Sequence, residues 1–216
     1  HGMEGMLRRN FAGFTTNLGA VFPGQTSISF KGFNKGMQWT MTQNDVDAIR
    51  RITPNIEYST TICQNYGTIQ YGTQSKQAQI IGYEPDFSKI LLPVIYSGRV
   101  LNESDESGSR KVALIGKNIA AELFGTEEPV GKFICAKGIY FLVAGVIGQT
   151  SEVNIGGRYD ESVIIPSSTF RRAYNWGNQV NFFMYTADAG HAPSELKPYI
   201  IRAICANHPI SPEDDK

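Results

Sequence analysis

An α+β fold is predicted for this chain of 216 residues, and three observations predict it. The stretch from Gly98 to Gly148 packs a strand, a short helix and two further strands into one dense block. Elsewhere helices and strands alternate too sparsely for a regular parallel sheet. Near the end, an aromatic strand from Gln179 to Tyr185 is followed by one longer helix. A chain of this size forms one large domain or two small ones, and buries about 70% of its unfolded surface without needing a staple.

The elements follow in order. The first forty residues are Gly-rich and weakly periodic, with one alternating strand at Thr26 to Lys31. Thr42 opens a helix: Thr42-x-x-Asp45 is a capping box in its Asp form, Val46, Ile49 and Ile52 share one face, and Pro54 ends it. Loss of the Thr42 cap is expected to cost roughly 1 kcal/mol. Glu57–Cys63, Tyr66–Tyr71 and Lys76–Tyr83 alternate as strands, with Gly72-Thr73-Gln74-Ser75 as a hairpin turn.

An acidic loop (Glu103, Asp105, Glu106) then leads into a strand, Lys111 to Gly116. Ile119, Ala120, Leu123 and Phe124 have helical spacing, and Gly125 stands where a left-handed cap ends the helix. Pro129-Val130-Gly131-Lys132 opens a strand pair, Lys132–Ala136 and Ile139–Ile147, turning at Lys137-Gly138. Gly116, Gly125 and Gly131 are expected at the ends of elements. Asn154 to Tyr159 is a flexible loop, Ser162–Ile165 a strand ended by Pro166, and Ser167 the cap of a short helix through Tyr174. The last helix runs from about Pro193, a first-turn proline, to about Asn207; Pro198 lacks an N–H, so its regular part is expected to begin there.

Composition excludes several functions. Twenty basic residues balance twenty acidic ones, which removes the footprint of a dedicated nucleic-acid binder and leaves no polybasic stretch for anionic lipid. The longest apolar run, Ile139 to Gly148, is too short to span a bilayer and reads as a buried strand. No secretory leader is recognisable, and His1-Gly2 is read as a leftover of expression, so a soluble segment is expected. Cys63, Cys135 and Cys205 are too few and scattered for a disulfide framework or zinc site, and free thiols are expected. They leave the redox compartment undecided.

No motif carries catalysis. Gly125 to Lys132 imitates a phosphate-binding loop, but two acidic residues lie between its glycines and Phe133 replaces the Mg²⁺-binding hydroxyl. A helix cap followed by a turn is the better reading. Asn102 to Gly108 lacks the EF-hand ladder and the bidentate Glu at its end, so a solvated loop is expected rather than a calcium site. His1, His191 and His208 form no metal pair, and His208 ends a helix where the dipole favours a cation. Glu84/Asp86 and Asp160/Glu161 are turn carboxylates, with no apolar pocket around them in the sequence. G-x-S-x-G, H-E-x-x-H and C-x-x-C are absent. Tyr66, Tyr71, Tyr83, Tyr96, Trp39, Phe11, Phe14 and Phe22 are candidates for a partner surface. Most of them are expected in the core or on a sheet face, and Trp176 is ambiguous.

The ordered set of short patterns resembles one known family. GRVLNESD (with Gly98, Arg99 and Asp105) precedes KVALIG (Val112, Ile115, Gly116). AAELFGTEEPVGK (Leu123, Phe124, Gly125, Pro129, Gly131, Lys132), FLVAGVIG (Gly145, Val146) and VIIP (Pro166) follow. Their order and spacing resemble the periplasmic core domain of MacB-type ABC transporter permeases. Met41 to Ile49, Ile80 to Phe87 and the closing HPISPED fit the same pattern, so the likeness covers nearly the whole chain. The resemblance implies two lobes: a Porter-like lobe from residues 1–97 and 177–216, and an inserted β-rich Sabre-like lobe from 98–176. It implies structural roles for the motif residues, with no catalytic, cofactor-binding or metal residue.

It further implies a non-catalytic extracytoplasmic domain of a bacterial inner-membrane permease, excised from between two membrane helices. Such a domain couples ATP-driven motion to substrate export or to envelope partners. Those partners are a second permease copy or paralogue, an ABC ATPase subunit or domain, and an adaptor in the periplasm. The alternative is a free-standing ligand-binding or sensor module of the envelope, separated by whether apolar segments near twenty residues bracket it in the parent frame. A degenerate enzyme is a third reading, and would require a deep pocket with convergent polar groups.

Overall fold

The computed structural model describes residues 17–23, 39–149 and 158–208. The expected strand at 26–31 and most of the 154–159 loop lie outside them. The strands are β1 (Leu18–Val21), β2 (Met41–Thr42), β3 (Ile56–Tyr71), β4 (Gln74–Tyr83) and β5 (Val94–Gly98). They continue as β6 (Val112–Gly116), β7 (Phe133–Ala136), β8 (Ile139–Gly148), β9 (Ser162–Pro166), β10 (Gln179–Val180) and β11 (Phe182–Ala187). The helices are α1 (Gln43–Ile52), α2 (Phe87–Leu91), α3 (Glu103–Ser107), α4 (Lys117–Phe124), α5 (Ser167–Ala173) and α6 (Pro193–Asn207). The α+β class holds. Nine strands form one mixed sheet in the order β1-β11-β3-β4-β9-β6-β8-β5, with β7 paired to both β3 and β8. Only β4–β9 and β6–β8 are parallel within it.

Two apolar clusters lie on opposite faces of this sheet. Cys63, Ile80, Ile115, Val163 and Phe183 belong to one, with residues from α1, α4, α5 and α6. Their strand neighbours Ile62, Ile81, Leu114, Ile164 and Phe182 belong to the other, with Phe87, Ile90 and Leu91 of α2. Successive side chains on a strand point to opposite faces, so a strand covered on both reads as a continuous apolar run. That is why β6 and β9 are buried at every position.

The α1 cap forms as expected: the Asp45 carboxylate accepts from the Thr42 N–H at 2.9 Å and its hydroxyl at 3.4 Å. The same carboxylate accepts from Asn207 Nδ2 at 2.6 Å and lies 2.8 Å from His208 Nε2, joining the end of α6 to the start of α1. Lys137 and Gly138 make the β7–β8 turn with φ of 48° and 86°, the paired positive values of a tight hairpin.

Several expectations are corrected. The segments Glu57–Cys63 and Tyr66–Tyr71 are one 16-residue strand, β3. Its first half pairs with β11 and its second with β4, so its polar middle stays extended. The hairpin turn is only Gly72-Thr73, since Gln74 already pairs with Tyr71. The acidic loop is the helix α3, capped by Asn102, whose Oδ1 accepts from the Asp105 N–H at 3.0 Å. Tyr159, expected in a loop, is buried in a 3₁₀ turn, Tyr159–Glu161.

Ser167 does not cap α5. It is the first helical residue, behind Pro166, and its buried hydroxyl bonds that of Thr61 at 2.8 Å. Gln179–Tyr185 is broken at Asn181, whose Oδ1 accepts from the Gln64 N–H at 2.7 Å. That side chain takes a ladder position, so β10 pairs with β2 while β11 enters the main sheet. Gly125 has φ 60° but ψ −116°, a positive-φ cap outside the left-handed helical well. The regular helix α6 begins at Pro193, upstream of Pro198.

Candidate functional site

Gly98, Arg99, Asp105 and Gly145 meet in one corner, where β5 turns into α3. Gly98 has φ +72°, and a Cβ there would stand 2.1 Å from the Ala144 carbonyl oxygen. A Cβ on Gly145 would stand 2.2 Å from the Arg99 carbonyl oxygen. The two backbones cross in van der Waals contact that only glycine permits. The crossing aims Arg99 at Asp105: Nη1 donates to Oδ2 at 2.6 Å and Nη2 to Oδ1 at 3.2 Å. Asp105 is fully buried, and also accepts from the Asn102 N–H at 2.9 Å. Burial would raise its carboxyl. The Arg99 fork, the Asn102 N–H and nearby Arg110 outweigh that and hold it below the usual carboxylate range.

The other motif residues take separate positions. Val112, Ile115, Leu123, Phe124 and Val146 are buried core. Gly116 caps α4 from the end of β6, where a Cβ would meet the carbonyl oxygens of Tyr159 and Asp160 at 2.2 Å. Pro166 closes the parallel β4–β9 ladder opposite Tyr83. The Gly125–Lys132 loop is filled by its own carboxylates. Glu127 lies 3.2 Å from Lys132 Nζ and accepts from the Tyr71 hydroxyl at 2.8 Å, and Tyr71 stacks on Phe124. Glu128 accepts from Ser97, Pro129 C=O accepts from the Lys132 N–H, and the Gly131 N–H bonds Val143.

Glu84 and Asp86, read from the sequence as turn carboxylates, and Glu103 and Glu106, read as part of an acidic loop, line a polar groove of about 190 Å³ together with Pro85, Arg50 and Ser59, the last two not singled out in the sequence. Arg50, on α1, forks onto Glu84 at 3.0 and 3.1 Å and reaches Ser59 at 3.0 Å. Glu84 also accepts from the Thr61 N–H at 2.7 Å. Across the groove, Glu106 Oε1 accepts from the Ser168 N–H at 3.0 Å, and the Ser168 hydroxyl donates to the Glu106 carbonyl at 2.6 Å. Glu106 Oε2 is out of contact with solvent and accepts no hydrogen bond. Burial first and the facing Glu84 second push this carboxyl up to about 7, against the pull of Ser168 and Arg171. The arrangement can therefore take up and release a proton near neutrality. Asp160 differs: its Oδ1 serves the Gln149 N–H at 2.8 Å, a local structural bond.

Cys63, Cys135 and Cys205 form no disulfide. Burial pushes the Cys63 thiol up to about 11, so it stays protonated and unreactive at neutral pH. Among the described residues, no group of three or more His, Cys, Asp or Glu side chains is placed to hold a metal, and no helix is long and apolar enough to cross a membrane. His191 pairs with Glu195 at 2.9 Å. Of the aromatic candidates, Tyr83 is buried and stacks on Phe87, Tyr71 and Trp39 are half-buried, and Tyr66, Tyr96 and Phe22 are exposed. Phe11 and Phe14 lie outside the described residues. Trp176 is half-buried, edge-on to Phe170. The sequence reading missed exposed Phe133 and Tyr140 of the β7–β8 hairpin. Phe133 and Cys135 stand opposite Leu142 and Tyr140, on the face away from buried Ile134 and Phe141.

A family profile described as "MacB-like periplasmic core domain" matches residues 1–203. A macrolide export ATP-binding/permease protein MacB of Syntrophobacter fumaroxidans is 26% identical over 166 residues, covering 76% of this chain and 23% of that protein. The pyoverdine export ATP-binding/permease protein PvdT of Pseudomonas aeruginosa is 26% identical over 170 residues, covering 77% of this chain and 26% of its own length. The chain thus spans about a quarter of these curated relatives. The periplasmic region of MacB from Actinobacillus actinomycetemcomitans superposes with a TM-score of 0.76 at 17% identity, covering 95% of this chain and 90% of that one. The extracellular domain of the ABC-type transporter YknZ from Gram-positive bacteria gives 0.71 at 15% identity, covering 90% and 96%.

Proposed function

Because the chain belongs to the MacB-like periplasmic core domain family, we propose that it passes mechanical motion from the membrane part of an ABC permease to partners outside the cytoplasm. The observation that carries this reading is the continuous sheet with apolar cluster on both faces. Such a body is close-packed and resists internal deformation. Strand β1 forms one edge beside β11, and α6 packs on both and on α1. Membrane helices joined to the two ends of this segment would therefore drive the same edge. Displacement there carries across the sheet to β5 and the β7–β8 hairpin, with no reactive side chain required.

In this reading the parent is an inner-membrane protein, and ATP is hydrolysed by a separate domain or subunit. Its partners are a second permease copy or paralogue, that ATPase and a periplasmic adaptor. Export of a small molecule is favoured over lipoprotein release or control of cell-wall hydrolases, because the relatives named above are exporters. The division into an end-built lobe (1–97 and 177–216) and an inserted lobe (98–176) belongs to the same proposal. Three pairings would join the two parts, β4–β9, β3–β7 and β5–β8, and the two parts should then differ in amide hydrogen-exchange rates.

The reading is tested at two levels. The parent reading frame should carry an apolar segment of about 20 residues on each side of this one. The isolated 216-residue chain should show no nucleotide turnover. Turnover by the chain alone, or a parent frame without such segments, would overturn the proposal.

A further inference from the structure

At the edge of the sheet opposite β1, strand β5 pairs with β8 alone among the described residues. Alternate residues of an edge strand direct their N–H and C=O groups away from the sheet, where they form a template for another extended backbone. Folded proteins blunt such an edge with charge, proline or a bulge. Here Pro93 precedes the strand, and a bulge falls at Tyr96, where the register with β8 shifts. Charge is missing from the strand itself: no Asp, Glu, Lys or Arg stands between Lys89 and Arg99. In its place Leu92, Val94, Ile95 and Tyr96 are all exposed. Tyr96 is held in position, because its ring lies so close to Gly148 that a Cβ there would stand 2.6 Å from Cε2. Two charges of opposite sign flank the strand, Lys117 over the Tyr96 ring and Glu128 bound by the Ser97 hydroxyl. Leu92 is a second, independent sign. It closes α2 in the left-handed region, with φ 50° and ψ 57°, where glycine is the usual residue, yet it is 56% exposed. Burial within this chain therefore does not account for a strained leucine at that place.

We infer that β5 is the edge onto which a second copy of this chain adds, its own β5 lying antiparallel, so that two sheets join across a twofold axis. An identical strand fits because an antiparallel strand is complementary to itself: outward donors on one copy meet outward acceptors on the other. With the axis at Ile95, that residue faces its counterpart and Val94 faces Tyr96, a β-branched and aromatic cross-strand pair. Each copy brings one Lys117 and one Glu128, so the rim is neutral and self-matching. The chain's net charge of zero sets no repulsion between copies. Pro93 and the bulge confine the ladder to a few residues, so the contact is weak, well short of the roughly 1,200 Å² of a stable interface. A weak contact suffices between chains held in one membrane, where tethering supplies an effective concentration on the order of millimolar. The partner rests on the proposed reading, in which permeases work in pairs. The contact then lies at the edge opposite the one that the membrane helices drive.

The test uses the whole 216-residue chain. Sedimentation equilibrium should find a monomer at micromolar concentration and a dimer that grows in as the chain approaches the order of 1 mM. Ile95→Lys puts a charge on the edge and should weaken association at least about tenfold with an unchanged circular dichroism spectrum. Leu92→Gly should also weaken association while raising the Tm, which separates lost docking from lost folding. Ile95→Cys, oxidised in air at high concentration, should give a disulfide joining the introduced thiols of two chains, since directly opposed residues stand within disulfide reach. A chain that stays monomeric at the highest concentration overturns the inference. So does an Ile95→Lys variant that associates like the wild type, or a dimer cross-linked only through Cys135 or Cys205. Should Ile95→Lys fail to fold, the wild-type sedimentation and the position of the disulfide decide. A monomeric result leaves the transport reading standing, because that reading is decided by the parent reading frame and by nucleotide turnover.

Discussion

Asp105 and Glu106 are neighbours on one five-residue helix, both carboxylates out of bulk water, and the surroundings drive them in opposite directions. Asp105 meets a guanidinium fork and a backbone N–H and stays ionised. Glu106 meets one N–H, a distant Arg171 and a second carboxylate, and holds its proton to about 7. Burial alone therefore decides nothing about a carboxyl group; the number and geometry of donors does. The corner around Asp105 is also built on glycine crossings where a Cβ would stand 2.1–2.2 Å from a carbonyl oxygen, whereas Glu106 faces a groove of about 190 Å³.

The largest expected effect tests how rigid that corner is. Gly145→Ala forces a methyl onto the Arg99 carbonyl and should destabilise the fold by about 3 kcal/mol, measured by urea unfolding. A loss below about 1 kcal/mol would show that the crossing adjusts after all.

Next comes the ion pair. Arg99→Met leaves Asp105 buried without its fork and should cost about 2 kcal/mol at pH 7, because Arg99 is itself partly exposed. The sign follows from linkage. Asp105 titrates lower in the folded chain than unfolded, so its contribution is present above about pH 4 and is lost as pH falls through the folded value. Arg99→Met should therefore flatten the acid limb of the stability curve. Glu106 is the mirror case: its folded value is raised, so stability falls between about pH 4.5 and 7, the folded value. Glu106→Gln should flatten that limb instead. If one variant flattened both, the two carboxyls would be coupled and the contrast between them would fail.

A smaller effect concerns the cap. Asn102→Ala removes the acceptor for the Asp105 N–H and should cost about 1 kcal/mol by thermal unfolding. Smallest of all, Tyr140→Ser on the exposed hairpin face should lie within about 0.5 kcal/mol of wild type. A larger loss would mean that this face is structural and not free for partners.

What the sequence made legible follows the range of the interaction. The Thr42–Asp45 box, the Lys137-Gly138 turn and the Ile119–Phe124 stripe are local signals, and each formed. The same box recurs as Asn102-x-x-Asp105, but five polar residues without an apolar stripe read as a loop. Strand β3 was divided at Gln64-Asn65, two polar residues between apolar alternating segments. Its extension is set by β11 and β4, partners distant in sequence. The groove had no local signature. Glu84 and Glu106 come together only because α3 docks on α5 beside the end of β4, so a sequence window around either residue shows an ordinary acidic turn.

The central claim is that this domain carries motion. It is tested most directly in a parent permease, if it is membrane-embedded and paired as proposed, with spin labels placed at Tyr140 on the hairpin face in each copy. Pulsed electron–electron resonance then reads the distance between them with and without bound nucleotide. The account predicts that nucleotide shifts the distance distribution. An unchanged distribution in a parent that still turns over ATP would contradict it.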